Sequence, residues 1–194
     1  MLIATHNQGK LIETKDLLKN SSFDIVSLAQ QEKSCVVQED QSTFYLNALK
    51  KAQTYQQFYQ MPVIADDSGL VVPALNGEPG VFSARFAHEN ASDEENNQFL
   101  LKKMKGIEDR RAYFECVVVY IQSPQNFVWA RGTYNGEILE APQGGQGFGY
   151  DPLFYVPTYK KTMAQLLMHE KNQISHRALA LQKLLIKIKE KGWA

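Results

Sequence analysis

Residues 112 to 122 and 126 to 134 read AYFECVVVYIQ and NFVWARGTY. Both runs are so rich in β-branched and aromatic side chains that a helix is a poor home for either. Only Ser123, Pro124, Gln125 and Asn126 join them, so they are expected to form two long strands in one sheet. Asn135-Gly136 is expected to turn the chain again, and PLFYVP, residues 152 to 157, to add a further short strand. Any fold for this chain must therefore accommodate a long-stranded meander in its middle.

The first third has a different rhythm. MLIAT reads as a short buried strand and HNQGK as the loop after it. LIETKDLLK carries apolar residues at 11, 12, 17 and 18, the spacing of one helical face. STFYLNALKKAQTYQQFY begins with Ser/Thr and has apolar positions 44, 48, 52, 55 and 58 in a helical stripe. MPVIA is a strand with Pro62 tolerated at its beginning, and it is expected to end at Asp66-Asp67. Ser92 and Glu95 have capping-box spacing and predict a helix over SDEENNQFLLKKM; Thr162 and Gln165 predict another start. Ser175 is expected to cap a last helix with Leu181, Leu184, Leu185 and Ile188 on its apolar face. The sum is an α/β protein with a mixed, long twisted sheet and flanking helices forming two lobes around a cleft.

At 194 residues the chain is long enough for a full hydrophobic core. Its formal net charge of zero gives no general basic field for nucleic acid. The opening Leu2-Ile3-Ala4 is too short for a signal or membrane segment. Cys35 and Cys116 form no metal-type pair, fit a reducing cytoplasm and are expected in the core.

The chemistry concentrates in a few stretches. In THNQGK, a strand runs into a loop with Asn7 and Gly9 and then Lys10 at a helix start, a place where backbone N–H groups and an ammonium attract phosphate. Read alone, it is equally a plain loop with a solvated lysine. Asn47 and Lys51 share a helical face, with Glu39 upstream. In VIADDSGL, Asp66 and Asp67 follow an apolar run: an ordinary turn, or a hard-cation site. Three carboxylates and two lysines near element ends suit Mg²⁺ with a polyphosphate. In GGQGFGYDP, Gly147 and Gly149 allow close approach and free Phe148 to lie against a planar ligand or to point into the core. In EKNQISHRALAL, His176 and Arg177 fall in the first turn of a helix, against its macrodipole, as if aimed at an acceptor-rich ligand.

Together, THNQGK, EDQSTFYLNALKKA, IADDSGL, GEPGVFSARFA, GQGFGYDPLFYVP and EKNQISHR resemble, in order and nearly end to end, the inosine triphosphate pyrophosphatase family, the Ham1-like or RdgB-like proteins. The resemblance implies one elongated domain over residues 1–194, a homodimer, a cytoplasmic location and a house-cleaning role in nucleotide metabolism. The implied reaction is hydrolysis of ITP, dITP and XTP to the monophosphate and pyrophosphate with Mg²⁺. It assigns Thr5, His6, Asn7, Gln8, Gly9 and Lys10 to the triphosphate, and Lys51 to neutralising phosphate charge. Glu39 and Asp67 would hold the metal with Asp66 assisting. Asp67 is also the implied general base, and Ser68 a substrate contact. Phe148, Gly149, Tyr150 and Asp151 would embrace the nucleotide, while Lys171, His176 and Arg177 would read its base edge. Pro73 stands where family members often carry an acid, which leaves the number of metal ions open; whether Asp67 is base or ligand only is open for a different reason, since a metal-bound carboxylate is a weak base.

Two other readings compete. A nucleotide sensor would use the same pocket without catalysis, and the joint presence of Lys10, Glu39, Lys51 and Asp67 argues against it. A single-strand RNA binder would need interleaved aromatic and basic residues, which are lacking. Neither nucleic acid nor membrane is expected as a partner.

Overall fold

The chain was described with a computed structural model, which covers residues 1–193. Its first strand, β1 (Leu2–Ile3), is flanked by β2 (Val26–Ser27) and β3 (Val63–Val71), both parallel to it, with Leu2 opposite Val63 and Ile3 opposite Ile64. Beyond β3 come β4 (Arg111–Ser123) and β5 (Asn126–Ile138), then β6 (Phe154–Val156) and β7 (Lys161–Thr162). The order β2-β1-β3-β4-β5-β6-β7 makes one mixed sheet, because β5, β6 and β7 pair antiparallel. Parallel neighbours need long crossovers, whereas antiparallel ones need only a turn.

Helices start where the sequence offers a cap. Asn7 Oδ1 accepts from Lys10 N at 2.9 Å and opens α1 (Gln8–Leu18). Thr43 does the same for α2 (Phe44–Tyr59), which Gln60 ends in a left-handed conformation at φ 53°. Ser92 and Glu95 form a reciprocal capping box at α3 (Asp93–Lys103). A short α4 (Met168–Ile174) precedes α5 (His176–Glu190), whose cap Ser175 accepts from Ala178 N at 3.2 Å. No helix among the described residues is long and apolar enough to cross a membrane.

The chain forms two units, whose boundaries fall within β3, β4 and β5. The first comprises Met1–Asp67, Cys116–Gly132 and the chain from Ser175 on. Its core joins Ile3, Ile64, Cys116, Val118 and Tyr120 of the sheet to Leu11 and Leu18 of α1 and to Leu181, Leu184 and Ile188 of α5. The second comprises Ser68–Glu115 and Thr133–Ile174, with a core of Leu70, Leu100, Phe114, Ile138, Leu153, Phe154 and Met163 among others.

Several expectations need correction. β3 does not stop at the carboxylates but continues through them to Val71, so Asp66 and Asp67 are strand residues and not a strand end or a turn. What stops there is β1: Ala4 N still donates to Ile64 O, but beyond it β3 has no β1 residue beside it. Asn135-Gly136 makes no turn. β5 runs to Ile138, and a Cβ on Gly136 would lie 2.4 Å from Tyr155 O and 2.5 Å from the Phe154 ring, so the glycine lets β6 pack close. Thr162 and Gln165 cap only a three-residue 3₁₀ turn, Met163–Gln165. Ile12 and Phe58 are exposed, and Cys35 is only partly buried, while Cys116 is wholly so.

Candidate active site

Adjacent strand residues point to opposite faces, and this separates the two aspartates. Asp67 faces α2. Its Oδ2 accepts from Asn47 Nδ2 at 3.0 Å, and Asn47 is itself held by Gln41 N, which donates to its Oδ1 at 2.9 Å. Four residues along α2, one turn on, Lys51 is 6% exposed and donates to Glu39 Oε1 at 2.7 Å. Burial raises the Asp67 carboxyl to about 6 and the Glu39 charge adds to the rise, against the pull of Lys10 and Lys51. Burial also opposes charge on Glu39, but Lys51 and Lys10 outweigh it and lower its pKa.

Asp66 faces α1 and α5. Lys10 Nζ lies 3.3 Å from its Oδ2, and Arg177 donates to the same oxygen at 3.2 Å. Arg177 also pairs with Glu13 of α1, and both side chains are almost wholly buried. Cys116 Sγ sits 3.8 Å from Asp66 Oδ2. Burial would push Asp66 upward, yet Lys10 and Arg177 hold it far below the ordinary carboxylate range. Lys10 is in turn raised: burial works against its charge, but Asp66 and Asp67 prevail. Thr5, His6 and the cap Asn7 form the bend after β1, whereas Gln8, Gly9 and Lys10 are the first residues of α1 and not the loop expected over HNQGK. Thr5 Oγ1 accepts from Asn7 N at 3.2 Å, and His6 Nε2 meets Tyr55 OH at 3.2 Å.

These contacts redistribute the predicted roles. Asp66 is engaged by Lys10 and Arg177, on the opposite side of β3 from Asp67, so it does not join Asp67 in a pair of ligands. Arg177 points at acceptors, as its place against the macrodipole suggested, but here the acceptors are Glu13 and Asp66 of the protein itself. Glu13, at 2% exposure, is the residue that sequence reading missed. Its only signal was an acid beside the buried positions Leu11 and Thr14 of an otherwise ordinary helix.

No three His, Cys, Asp or Glu side chains among the described residues converge as a ready-made metal cage. The donor set nevertheless fits a hard cation. Glu39 and Asp67 supply carboxylate oxygens close enough for the Glu39 charge to raise Asp67. Mg²⁺ uses one or two carboxylates and takes its remaining oxygens from water and phosphate.

The second unit carries the glycine-rich segment. Gly147 and Gly149 adopt φ of 79° and 61°, values that favour glycine. Asp151 Oδ2 accepts from Phe148 N at 3.0 Å and from Lys171 Nζ at 2.5 Å, and that ammonium lies 5.0 Å from the centre of the Phe148 ring. Phe148 is half-buried and outside the core, so the reading that sends it inward does not hold. Tyr150 OH donates to Ser83 O at 2.8 Å, and Ser83 Oγ accepts from Leu70 N at 2.9 Å. Ser68, on β3 beside Asp67, is only partly covered. Pro73 opens a 3₁₀ turn at the surface and offers no ligand atom on its ring.

A mixed α/β fold with buried carboxylates set against lysines, beside an amide-capped helix start, defines a protein equipped for an anionic ligand and a hard cation. The family model of the Ham1 family matches residues 1–187, and the chain belongs to that family. It is 44% identical over 191 residues to the dITP/XTP pyrophosphatase of Clostridium perfringens, covering 94% of each chain. To that of Thermoanaerobacter pseudethanolicus it is 46% identical, covering 95% of this chain and 93% of the other. The solved Ham1 protein of Staphylococcus aureus superposes with a TM-score of 0.87 at 43% identity, covering 98% of both chains.

Proposed function

We propose that this protein is a nucleoside-triphosphate pyrophosphatase that hydrolyses non-standard purine nucleotides, ITP, dITP and XTP, to the monophosphate and pyrophosphate. One observation carries the reading: Lys10 and Lys51 stand close enough to Asp66, Asp67 and Glu39 for both ammonium charges to act on all three carboxylates. Relatives named dITP/XTP pyrophosphatases, aligned over nearly their whole length, support the substrate class.

In the proposed reaction, a water oxygen attacks the α-phosphorus, the bond to the bridging oxygen of the β-phosphate breaks, and pyrophosphate leaves. Asp67 orients the water; free of metal, its carboxyl is raised to about 6 and is a better proton acceptor than an ordinary aspartate, whereas a metal bound to it would lower that basicity. Lys10 and Lys51 offset charge on the phosphate oxygens. Thr5 through Gly9, with the first N–H groups of α1, add donors to the phosphates. Glu39 and Asp67 would hold Mg²⁺, which would supply Lewis-acid stabilisation of phosphate charge. Asp66 keeps Lys10 protonated and in place.

The base contacts assigned by resemblance are Phe148 to Asp151, Lys171, His176 and Arg177, with Ser68 a further contact to the substrate. Phe148 supplies a stacking surface. Lys171 and Arg177 are already paired with buried protein carboxylates, so a base carbonyl would be accepted beside those pairs and not in place of them. Inosine and xanthine carry such a carbonyl at position 6 and adenine carries an amino donor, which favours the first two. We further propose a homodimer acting in the cytoplasm.

The deciding experiment incubates the protein with ITP, dITP, XTP, ATP and GTP in Mg²⁺ and measures inorganic products. Pyrophosphate from the first three, with ATP and GTP poor, is expected. Orthophosphate with an accumulating diphosphate would place cleavage at the γ-phosphate instead, and binding without turnover would leave a sensor.

A further inference from the structure

Within the second unit, the peptide of Gly149 is gripped on both sides by one helix. Its N–H donates to Asp93 Oδ2 at 2.6 Å, and its carbonyl accepts from Asn97 Nδ2 at 2.9 Å. Asp93 and Asn97 are four residues apart in α3 and so share a face. The segment they hold cannot be braced by ordinary strand or helix bonds, because Gly149 sits at φ 61° and Gly147 at φ 79°. A Cβ on Gly147 would fall 2.1 Å from Asp151 Oδ2, so the loop is already folded tightly against its own aspartate.

Asn97 is an expensive residue for stability alone. It is 8% exposed, and while its Nδ2 serves Gly149, its Oδ1 is buried and meets no protein donor. A buried acceptor left without a partner costs free energy, so packing alone does not account for the amide, and the one bond it makes does. Neither residue is needed to start α3, because Ser92 and Glu95 already cap it. The neighbouring Asn96 acts elsewhere, accepting from Ala87 N and donating to Ala84 O.

We propose that Asp93 and Asn97 are positioning residues that hold the Phe148–Gly149 segment in the conformation that receives the substrate's base. This rests on the reading of Phe148 as the stacking surface. Neither side chain touches the reacting phosphates, so losing either weakens substrate binding and leaves the chemical step alone.

The test compares Asp93→Ala, Asn97→Ala, the conservative Asp93→Asn, and Phe148→Ala, each assayed with ITP and Mg²⁺, with amide hydrogen exchange at Gly149 and thermal unfolding measured alongside. Asp93→Ala and Asn97→Ala are each expected to raise KM about tenfold, the factor that accompanies loss of about 1.4 kcal/mol, with kcat within about twofold. Gly149 exchange should accelerate at least about tenfold, as local opening becomes easier. Asp93→Asn keeps an acceptor oxygen and should stay within about threefold of the parent. Parental KM in both alanine variants, or a fall in kcat and Tm with KM unchanged, overturns the positioning role. Should Phe148→Ala itself keep the parental KM, the stacking reading fails and the positioning role with it; the exchange rate at Gly149 still reports whether the grip exists.

Discussion

Asp67 illustrates how burial sets the cost of ionising a single carboxylate. Burial lifts its carboxyl from 3.8 to about 6, so ionising it in the folded state costs free energy at neutral pH. Because the folded pKa is raised, stability is full below the unfolded value and declines as pH climbs through about 6. Asp67→Asn removes that penalty, on the order of 1–3 kcal/mol, and can still accept from Asn47. The variant is therefore expected to melt several degrees higher than the parent near neutral pH, with the gap closing at about pH 4, while losing at least about 100-fold in kcat. Equal melting at both pH values, or wild-type turnover, would contradict this account. Asp66 behaves oppositely. Its depressed pKa means its contribution is present above the unfolded value and lost as acid protonates it. Arg177→Ala would take the guanidinium away from buried Glu13 and leave Asp66 to Lys10, and removing one member of a buried ion pair costs about 3–5 kcal/mol. Urea unfolding should register that loss; a change below about 1 kcal/mol would show the pair to be well solvated.

At the scale of elements, α5 is set by Gly132 of β5. A Cβ there would lie 2.1 Å from His176 O and 2.5 Å from Ala180 N, both backbone atoms of the helix's first turns. The helix start that carries His176 and Arg177 thus rests directly on a strand, with no side chain between. Gly132→Ala must push the helix away, which costs roughly 1–3 kcal/mol as overpacking. It should also move Arg177 off Asp66, so activity is expected to fall along with thermal stability. A variant with parental Tm and kcat would mean that the sheet absorbs the methyl group. Gly132 lies in a run whose composition reads as plain strand, and nothing in the residue order announces a helix above it. The helix starts at Thr43, Ser92 and Ser175 are legible because caps are local, each bonding an N–H three residues ahead; Asn7 does the same for α1, but HNQGK reads as loop. The end of β3 is not legible, because Asp, Ser and Gly look like a turn. There, pairing within the sheet and buried partners for both carboxylates override local propensity.

For the molecule as a whole, the expected observable is linkage. A ligand held at 100 times its Kd stabilises by about 2.7 kcal/mol, or roughly 5–10 °C for a chain of this size. A non-hydrolysable ITP analogue should raise Tm by that order with Mg²⁺ present and much less after chelation. An equal shift in both conditions would remove the metal from substrate binding. Sequence alone determined the long strands of the middle, the helix starts at Thr43, Ser92 and Ser175 and the stretches that gather carboxylates and lysines, though not β2, β7 or α4. Local hydrogen bonds, periodicity and a run of six ordered motifs are all written along the chain. Only the tertiary structure decided what each charged group faces. Asp66 and Asp67 are neighbours in sequence, yet strand geometry sends one to Lys10 and Arg177 and the other to Asn47. Glu13 and Arg177 lie 164 residues apart and meet because α1 and α5 pack on the same side of the sheet. Side-chain pairing across such distances depends on packing, and one-dimensional order does not contain it.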